Sequence, residues 1–558
     1  LNPATAQAEV MVDELVRDGV RHVVLSPGSR NAAFAFALYR AEVSGRVRLH
    51  VRVDERSAGY LALGLAAGGT PVAVVCTSGT AAANLHPVVS EARHSGVPLI
   101  VLTSDRPPEL RAAGANQSID QNRLYTSAVR SFDEIAVAEN RPGQNAYWRS
   151  QVCRAVHTAS GGGRRRAPVH LNVPFREPLV PDEDGGAEWC ESLEGRAGGG
   201  PWTGFGAVAE VPPEAEVRSA RGLVILADQD AAGRATAWAE ALGWPLLSET
   251  GGVTAGANTL PTGMWLLALP EFVRQHRPEQ VVCVGRPTVF RQVQRLLADS
   301  GIEVILVHSD PDGWPAPAHD VSVVAGRLDT TAVSPDPEWL DTWRAADHKA
   351  RTELNAALER EEVDSGPVVA GRLVEALPAD SLLVLGSSNP ARDVALCGAR
   401  RPAVRVHRNR GAAGIDGLVS TAVGVALESA GPNYALLGDL GFLHDSNGLL
   451  LGPHERRPDL TIVVYNDDGG GIFSLLEQGR SAHSETFERV FGTPHGTDLA
   501  ALCAAHHVPH ELVTGREELA RALRYRPGLR VVEVRAPRAG LRGVHGRLLD
   551  AVSAAVVG

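Results

Sequence analysis

Along the first third of the chain, short apolar runs end in small or polar residues and then give way to stretches with helical spacing. Three of them are HVVLSPG at 22–28, VAVVCTSG at 72–79 and PLIVLTSD at 98–105. Runs that are apolar at nearly every position suit strands buried on both faces, and their alternation with helices predicts a mostly parallel sheet covered on either side. PVHLNVPFREPLVP at 168–181 carries one more strand, punctuated by prolines, and places a boundary near residue 182. Residues 183–220, rich in Gly, Pro and Glu, read as a linker, after which GLVILAD (222–228) and QVVCVGRP (280–287) restart the rhythm in a smaller block ending near 345. A third block has a helix around 366–377 and strands in SLLVLGSSN (381–389), YALLGD (434–439), LTIVVYND (460–467) and RVVEVRA (530–536). The expected architecture is α/β: three consecutive domains with mostly parallel sheets, at 1–182, 183–345 (linker and central domain) and 346–558. The first and third blocks share a similar size and rhythm.

Length supports this division, because 558 residues exceed what one hydrophobic core serves. No run of eighteen apolar residues occurs, and the first twenty residues lack a basic start followed by an apolar block, so neither membrane insertion nor export is expected. The six cysteines are scattered without a C-x-x-C pair, which favours free thiols in a reducing cytoplasm over zinc or disulfides. A net charge of −11 argues against a general nucleic-acid footprint. The one basic run, Arg164 to Arg166, reads as a solvated loop.

In open parallel sheets ligands sit beyond the carboxyl ends of strands. YALLGDLGFLHDSNGL puts Asp439 at such an end, and LTIVVYNDDGGGIF puts Asn466, Asp467 and Asp468 at another, ahead of Gly469 to Gly471. Two carboxylates at neighbouring strand ends suit Mg²⁺, which takes one or two carboxylates with phosphate oxygens and water, while glycines let the backbone approach a diphosphate. Singly, G-D and N-D-D-G are more often surface turns.

The pair resembles the metal- and diphosphate-binding motif of thiamine-diphosphate-dependent enzymes. The resemblance implies the thiamine-diphosphate-binding fold, with Asp439 as first metal ligand, Gly469 as carbonyl ligand and Asp467 where that family usually has Asn. Asn466 takes the second place if the loop register shifts by one. Mg²⁺ is the implied metal, with Mn²⁺ as an alternative. Further implied cofactor contacts are Gly386, Gly438, Leu440, Asn466, Gly471 and Ile472. Glu55, in RVDERSAGYLALGLA (52–66), stands at the front of a helix, where an acid ordinarily serves the helix itself. The resemblance makes it the catalytic acid that hydrogen-bonds the aminopyrimidine. It reaches the cofactor from the partner subunit, so a homodimer is the minimum active unit and a homotetramer stays open. Ile415, by default a core residue, matches the side chain that props the cofactor in its bent form.

Substrate needs other residues. SPGSRNA (26–32), TSDRPPEL (103–110), GANQSID (114–120), SSNPARD (387–393) and RNRGAAGIDG (408–417) carry several arginines at strand ends, which suit bidentate binding of carboxylates. These segments resemble the menaquinone-biosynthesis synthases that decarboxylate 2-oxoglutarate and add the four-carbon product to isochorismate. The resemblance spans most of the first and third domains and is weaker in the central one. It implies substrate contacts at Ser29, Arg30, Asn116 and Gln117 in the first domain, Gln117 also orienting or relaying protons. In the third it implies Ser388, Arg392 and Arg410, with Ile472, Phe473 and Leu476 as an apolar wall. Arg106 and Arg291 are weaker candidates for the isochorismate side, with ordinary salt bridges as the alternative. An acetohydroxyacid-synthase-like enzyme would share Glu55 and Asp439 without needing RNRGAAGIDG. A dinucleotide-dependent dehydrogenase would need G-x-G-x-x-G between a first strand and its helix, and SPGSRNA lacks that spacing. A non-catalytic paralogue would be expected to have lost Glu55 or Asp439, and both are present.

Overall fold

The computed structural model describes residues 1–182, 188–206, 212–308, 313–315, 320–361, 365–401 and 404–558. Packing separates the chain into two compact units. One comprises Leu1–Glu210, Asn409–Glu428 and His444–Pro458; the other comprises Val211–Arg408, Ser429–Leu443 and Asp459–Gly558.

The first unit holds a six-stranded sheet of β1 (His22–Leu25), β2 (Arg48–Val51), β3 (Val72–Cys76), β4 (Leu99–Asp105), β5 (Phe132–Glu134) and β6 (Val169–Pro174). Its order is β2-β1-β3-β4-β6-β5, and every pairing is parallel. β3, β4 and β6 are buried along their whole length, as near-continuous apolar runs require. Helix Glu55–Leu65 packs on helix Leu418–Glu428. A Cβ on Gly64 would overlap the carbonyl of Thr421, and one on Gly424 the carbonyl of Leu61, so paired glycines allow this backbone-to-backbone crossing.

The second unit holds two larger parallel sheets. The central one, of β8 (Gly222–Leu226), β9 (Leu246–Ser248), β10 (Gln280–Val284), β11 (Glu303–Val307) and β12 (Val323–Ala325), has order β12-β11-β10-β8-β9. Beside it, β7 (Glu214–Glu216) pairs with β13 (Arg327–Asp329). The last sheet contains β14 (Leu382–Leu385), β15 (Arg405–Arg408), β16 (Asn433–Gly438), β17 (Leu460–Asn466), β18 (His510–Val513) and β19 (Leu529–Arg535), in the order β15-β14-β16-β17-β19-β18. Counted from its own first strand, that is the order of the first sheet. The shared rhythm of the two blocks is therefore a shared topology, and in each the strand order reverses beside the first strand, which is where open α/β sheets bind ligands.

Two readings need correction. Of the expected linker, residues 188–206 are docked on the first unit, where Trp189 stacks on Trp148 at 5.8 Å and donates to Asn145 Oδ1 over 3.1 Å, and Glu214–Glu216 forms β7 in the second. The linker's residues 183–187 and 207–211 lie outside the described residues. The basic run is anchored at Arg165, whose guanidinium donates to the carbonyl of His94 over 2.9 Å. The expected boundary at 345/346 falls inside one unbroken helix, Pro337–Arg360, whose Trp339, Trp343, Ala350 and Leu354 join the core of the central sheet. All six cysteines are free, and Cys190 alone among them is exposed. No helix among the described residues is long and apolar enough to cross a membrane.

Candidate active site

In the second unit the site begins at the carboxyl ends of β14, β16 and β17. Gly386 continues β14 by donating to the carbonyl of Leu436 over 2.9 Å. Ser388 then turns the chain at φ +79° and ψ −138°, a conformation held at a cost by a residue with a Cβ. That turn starts helix Asn389–Leu396, and Arg392, one turn in, donates back to the carbonyl of Ser388 over 2.8 Å. Ser388 and Arg392 are thus brought together. Arg291, exposed at the start of helix Arg291–Leu297, follows the central sheet instead.

At the next strand end Gly438 leads directly into Asp439, which is 2% exposed. Its Oδ1 accepts from the amide of Leu440 and its Oδ2 from the amide of Gly469, each over 2.7 Å. The loop after β17 is thereby tied to the end of β16. Asp467, also buried, lies directly over Gly471, where any Cβ would overlap its Oδ2. Gly469, at φ +136°, abuts the carbonyl of Gly492, and the amide of Gly470 donates to that carbonyl over 2.7 Å. Both positions therefore require glycine.

Asn466 faces elsewhere. Its Nδ2 donates to the fully buried Glu533 over 2.7 Å, and its Oδ1 accepts from the amide of Asp468 over 3.0 Å. The bonded carboxamide shapes the loop, which leaves the Asp467 carboxylate as the acid beside Asp439. Burial, and then the charge of Asp439, push Asp467 up to about 7; burial likewise raises Asp439. Asp393, fully enclosed, is pushed up to about 8 by burial, against the pull of Arg392 and with a push from Asp467. Two buried carboxylates at neighbouring strand ends form a donor set suited to Mg²⁺, and the glycine loop is a cradle suited to a diphosphate. Ile472, Phe473 and Leu476 follow, half-buried, with Phe473 against Phe491 at 5.7 Å.

Sequence reasoning missed His495. Its Nδ1 accepts from the amide of Thr497 over 3.0 Å, which leaves Nε2 to donate to Asp439 Oδ2 over 3.1 Å. The turn residues of TPHGTD were the available signal, but no spacing rule links position 495 to 439. Asp393 and Glu533 were missed as well, because each lies in a run that reads as plain helix or strand.

In the first unit the site residues again lie beyond strand ends. Glu55 opens its helix half-buried, with Asp54 capping the amide of Arg56 over 2.9 Å. Buried Asp445 ties the same helix to helix Leu418–Glu428, accepting from Ser57 Oγ over 2.7 Å and from the amide of Ser420 over 2.6 Å. Arg30 and Arg106 are both 8% exposed and close enough that the charge of Arg30, after burial, depresses the pKa of Arg106. Arg106 donates to Ser78 Oγ, Ser78 Oγ donates to the carbonyl of Gln117 over 3.0 Å, and Gln117 Nε2 returns a bond to the carbonyl of Ser78 over 3.0 Å. Two buried guanidiniums within reach of each other's charge suit an anionic ligand. Gln117 sits at φ +54°, and Ser29 and Asn116 are exposed beside this cluster in sequence. Arg410 and Ile415 occupy the loop that enters helix Leu418–Glu428.

Known proteins bear on this geometry. The family model for the thiamine pyrophosphate enzyme N-terminal TPP binding domain matches residues 6–124, and that for the C-terminal TPP binding domain matches 395–533. A 2-succinyl-5-enolpyruvyl-6-hydroxy-3-cyclohexene-1-carboxylate synthase of Saccharopolyspora erythraea is 65% identical, covering 100% of both chains. Synthases of the same name from Nocardia farcinica and Thermobifida fusca are 49% and 47% identical, over 98% and 100% of both chains. The chain therefore belongs to the 2-succinyl-5-enolpyruvyl-6-hydroxy-3-cyclohexene-1-carboxylate synthase family of thiamine pyrophosphate enzymes.

Proposed function

We infer that the protein decarboxylates 2-oxoglutarate and adds the resulting four-carbon unit to isochorismate, a step of menaquinone biosynthesis. Full-length identity of 65% to a synthase of that name carries the reading. Thiamine diphosphate, when bound, supplies the carbon nucleophile and the sink for the electron pair left when CO₂ departs. Asp439, Asp467 and the Gly469 carbonyl are the proposed Mg²⁺ ligands, Mn²⁺ being the substitute to test. Gly386, Gly438, Leu440, Gly471 and Ile472 are the proposed contacts to the cofactor, with Asn466 shaping the loop and Ile415 supporting the bend.

Glu55 holds and moves the proton at the aminopyrimidine, and Gln117 orients one near the substrate. Ser388, Arg392 and Arg410 hold substrate carboxylates, and Ser29, Arg30, Asn116 and Arg106 present a second set of donors. Arg291, exposed on helix Arg291–Leu297 after the central β10, is the weakest of these assignments. Ile472, Phe473 and Leu476 keep water from the reacting carbon. In this reading Glu55 serves a cofactor held by a second copy of the chain, so the active form is at least a dimer, working in the cytoplasm. The reading takes three domains: a first near 1–182, a central one that runs through helix Pro337–Arg360, and a third after that helix.

CO₂ release from 2-oxoglutarate, pyruvate and 2-oxobutyrate, measured with thiamine diphosphate and Mg²⁺, tests the substrate class. The reading expects a preference for the dicarboxylate of at least about 100-fold in kcat/KM, the scale of a charge-assisted pair lost from a buried site. Equal rates would leave an acetohydroxyacid-synthase-like carboligase as the better description.

A further inference from the structure

Residues 411–413 form a concave run of backbone amides already filled by a side chain of the same unit. Glu91, on helix His86–Ser95 and 2% exposed, accepts from the amide of Gly411 at Oε1 over 2.7 Å. Its Oε2 accepts from the amides of Ala412 and Ala413 over 2.7 and 3.2 Å, and Ser95 Oγ donates to Oε1 over 2.5 Å. Ala413 at φ +60° supplies the left-handed step that lets successive amides converge on one anion. Gly411 is pressed onto the same helix: a Cβ there would come within 2.6 Å of the Glu91 carbonyl and 2.7 Å of the Ser95 amide. The far end of the loop is pinned as well, since Tyr60 donates to Asp416 and any Cβ on Gly417 would overlap the Tyr60 ring.

Arg410 immediately precedes this run, and Ile415 stands two residues after it. A carboxylate fully engaged by main-chain donors fixes the path of the backbone rather than the position of one side chain. Whatever orients these amides orients the Cα–Cβ bonds of both neighbours. We propose that Glu91 is a positioning residue for substrate selection, holding the loop so that the Arg410 guanidinium is presented to a substrate carboxylate and Ile415 to the cofactor. The proposal rests on the role given to Arg410 above. Glu91 touches neither substrate nor cofactor and acts through the loop.

The test combines a double-mutant cycle with hydrogen exchange on the full-length protein. Glu91→Gln keeps one acceptor oxygen but turns an NH₂ toward donors. Exchange at the amides of 411–413 should then rise at least about tenfold, the scale of losing one such hydrogen bond, while other segments keep their rates. In the holoenzyme kcat/KM should fall about 10- to 100-fold for the substrate that Arg410 recognises, chiefly through KM. The same change made in Arg410→Ala should cost less than about threefold, because residues that act as a unit are non-additive. Glu91→Asp, which keeps the charge but withdraws it by one methylene, should lie between. Unchanged exchange at 411–413 overturns the proposal, and so does full additivity with Arg410→Ala, which would make Glu91 a general support of the fold. If Arg410→Ala alone left kcat/KM intact while exchange rose in Glu91→Gln, the assignment of Arg410 would fall, and with it the role of Glu91 in substrate selection.

Discussion

The amide of Gly469 donates to Asp439 Oδ2 over 2.7 Å, so the end of β16 and the loop after β17 are one hydrogen-bonded unit. Asp439→Ala therefore removes both a proposed metal ligand and the acceptor that orders its neighbour. Calorimetry should show the affinity for thiamine diphosphate with Mg²⁺ weakened at least about 30-fold, roughly 2 kcal/mol. An unchanged affinity would count against Asp439 as a ligand.

Asp467 and Asn466 separate by the same measurement. Asp467→Asn keeps a side-chain oxygen at the same reach and should retain activity, whereas Asp467→Ala should lose Mg²⁺. Asn466→Ala frees the loop from Glu533 but takes no oxygen from the metal, so it should weaken Mg²⁺ less than Asp467→Ala does. The opposite ranking would assign the ligand to Asn466.

The raised Asp467 has a definite pH signature. Its carboxyl, at about 7 in the folded chain against an ordinary 3.8, keeps a proton that the unfolded chain has already released. Between these values the metal-free protein loses stability as pH rises, by the linkage of proton binding to folding. Mg²⁺ competes with that proton for the Asp467 oxygens, so binding expels it. Mg²⁺ affinity should climb with pH up to about 7 and flatten above, with proton release visible as a dependence of binding heat on buffer. Asp393, pushed to about 8, shares this behaviour to the extent that it couples to Asp467. An affinity independent of pH below 7 would contradict the account.

Glu55→Gln should bind cofactor normally and yet nearly abolish its activation, because an amide cannot share a proton with the pyrimidine nitrogen. Deuterium exchange at the thiazolium carbon, followed by NMR in the mutant holoenzyme, reports this without the overall reaction. Wild-type exchange rates would remove Glu55 from the mechanism.

The buried strands could be read from sequence because their runs are apolar at nearly every position: VAVVC, LIVLTSD and LTIVVYN lie where the pattern places them. The edge strands RLHV, FDE, RVHR and HELV could not, since a strand paired on one side and open to solvent needs no apolar run. A boundary near 345 splits the 337–360 helix, whose polar face interrupts the apolar pattern, although Trp339 and Trp343 mark a buried stripe.

Within the candidate site, Asp439, Asp467 and the glycines were visible through local spacing around strand ends. His495, 56 residues from Asp439, and Glu91, 320 residues from Gly411, act across separations on which no local pattern bears. Asn466 and Asp467, adjacent in sequence, were distinguished by the Glu533 side chain, which the fold alone brings to one of them.

The central claim is the reaction itself, and the direct measurement is the mass of the product formed from 2-oxoglutarate and isochorismate with thiamine diphosphate and Mg²⁺. The account predicts a single adduct containing both carbon skeletons less one CO₂, absent when either substrate or the cofactor is omitted. Release of CO₂ with no adduct, or an adduct formed equally well from pyruvate, would contradict it.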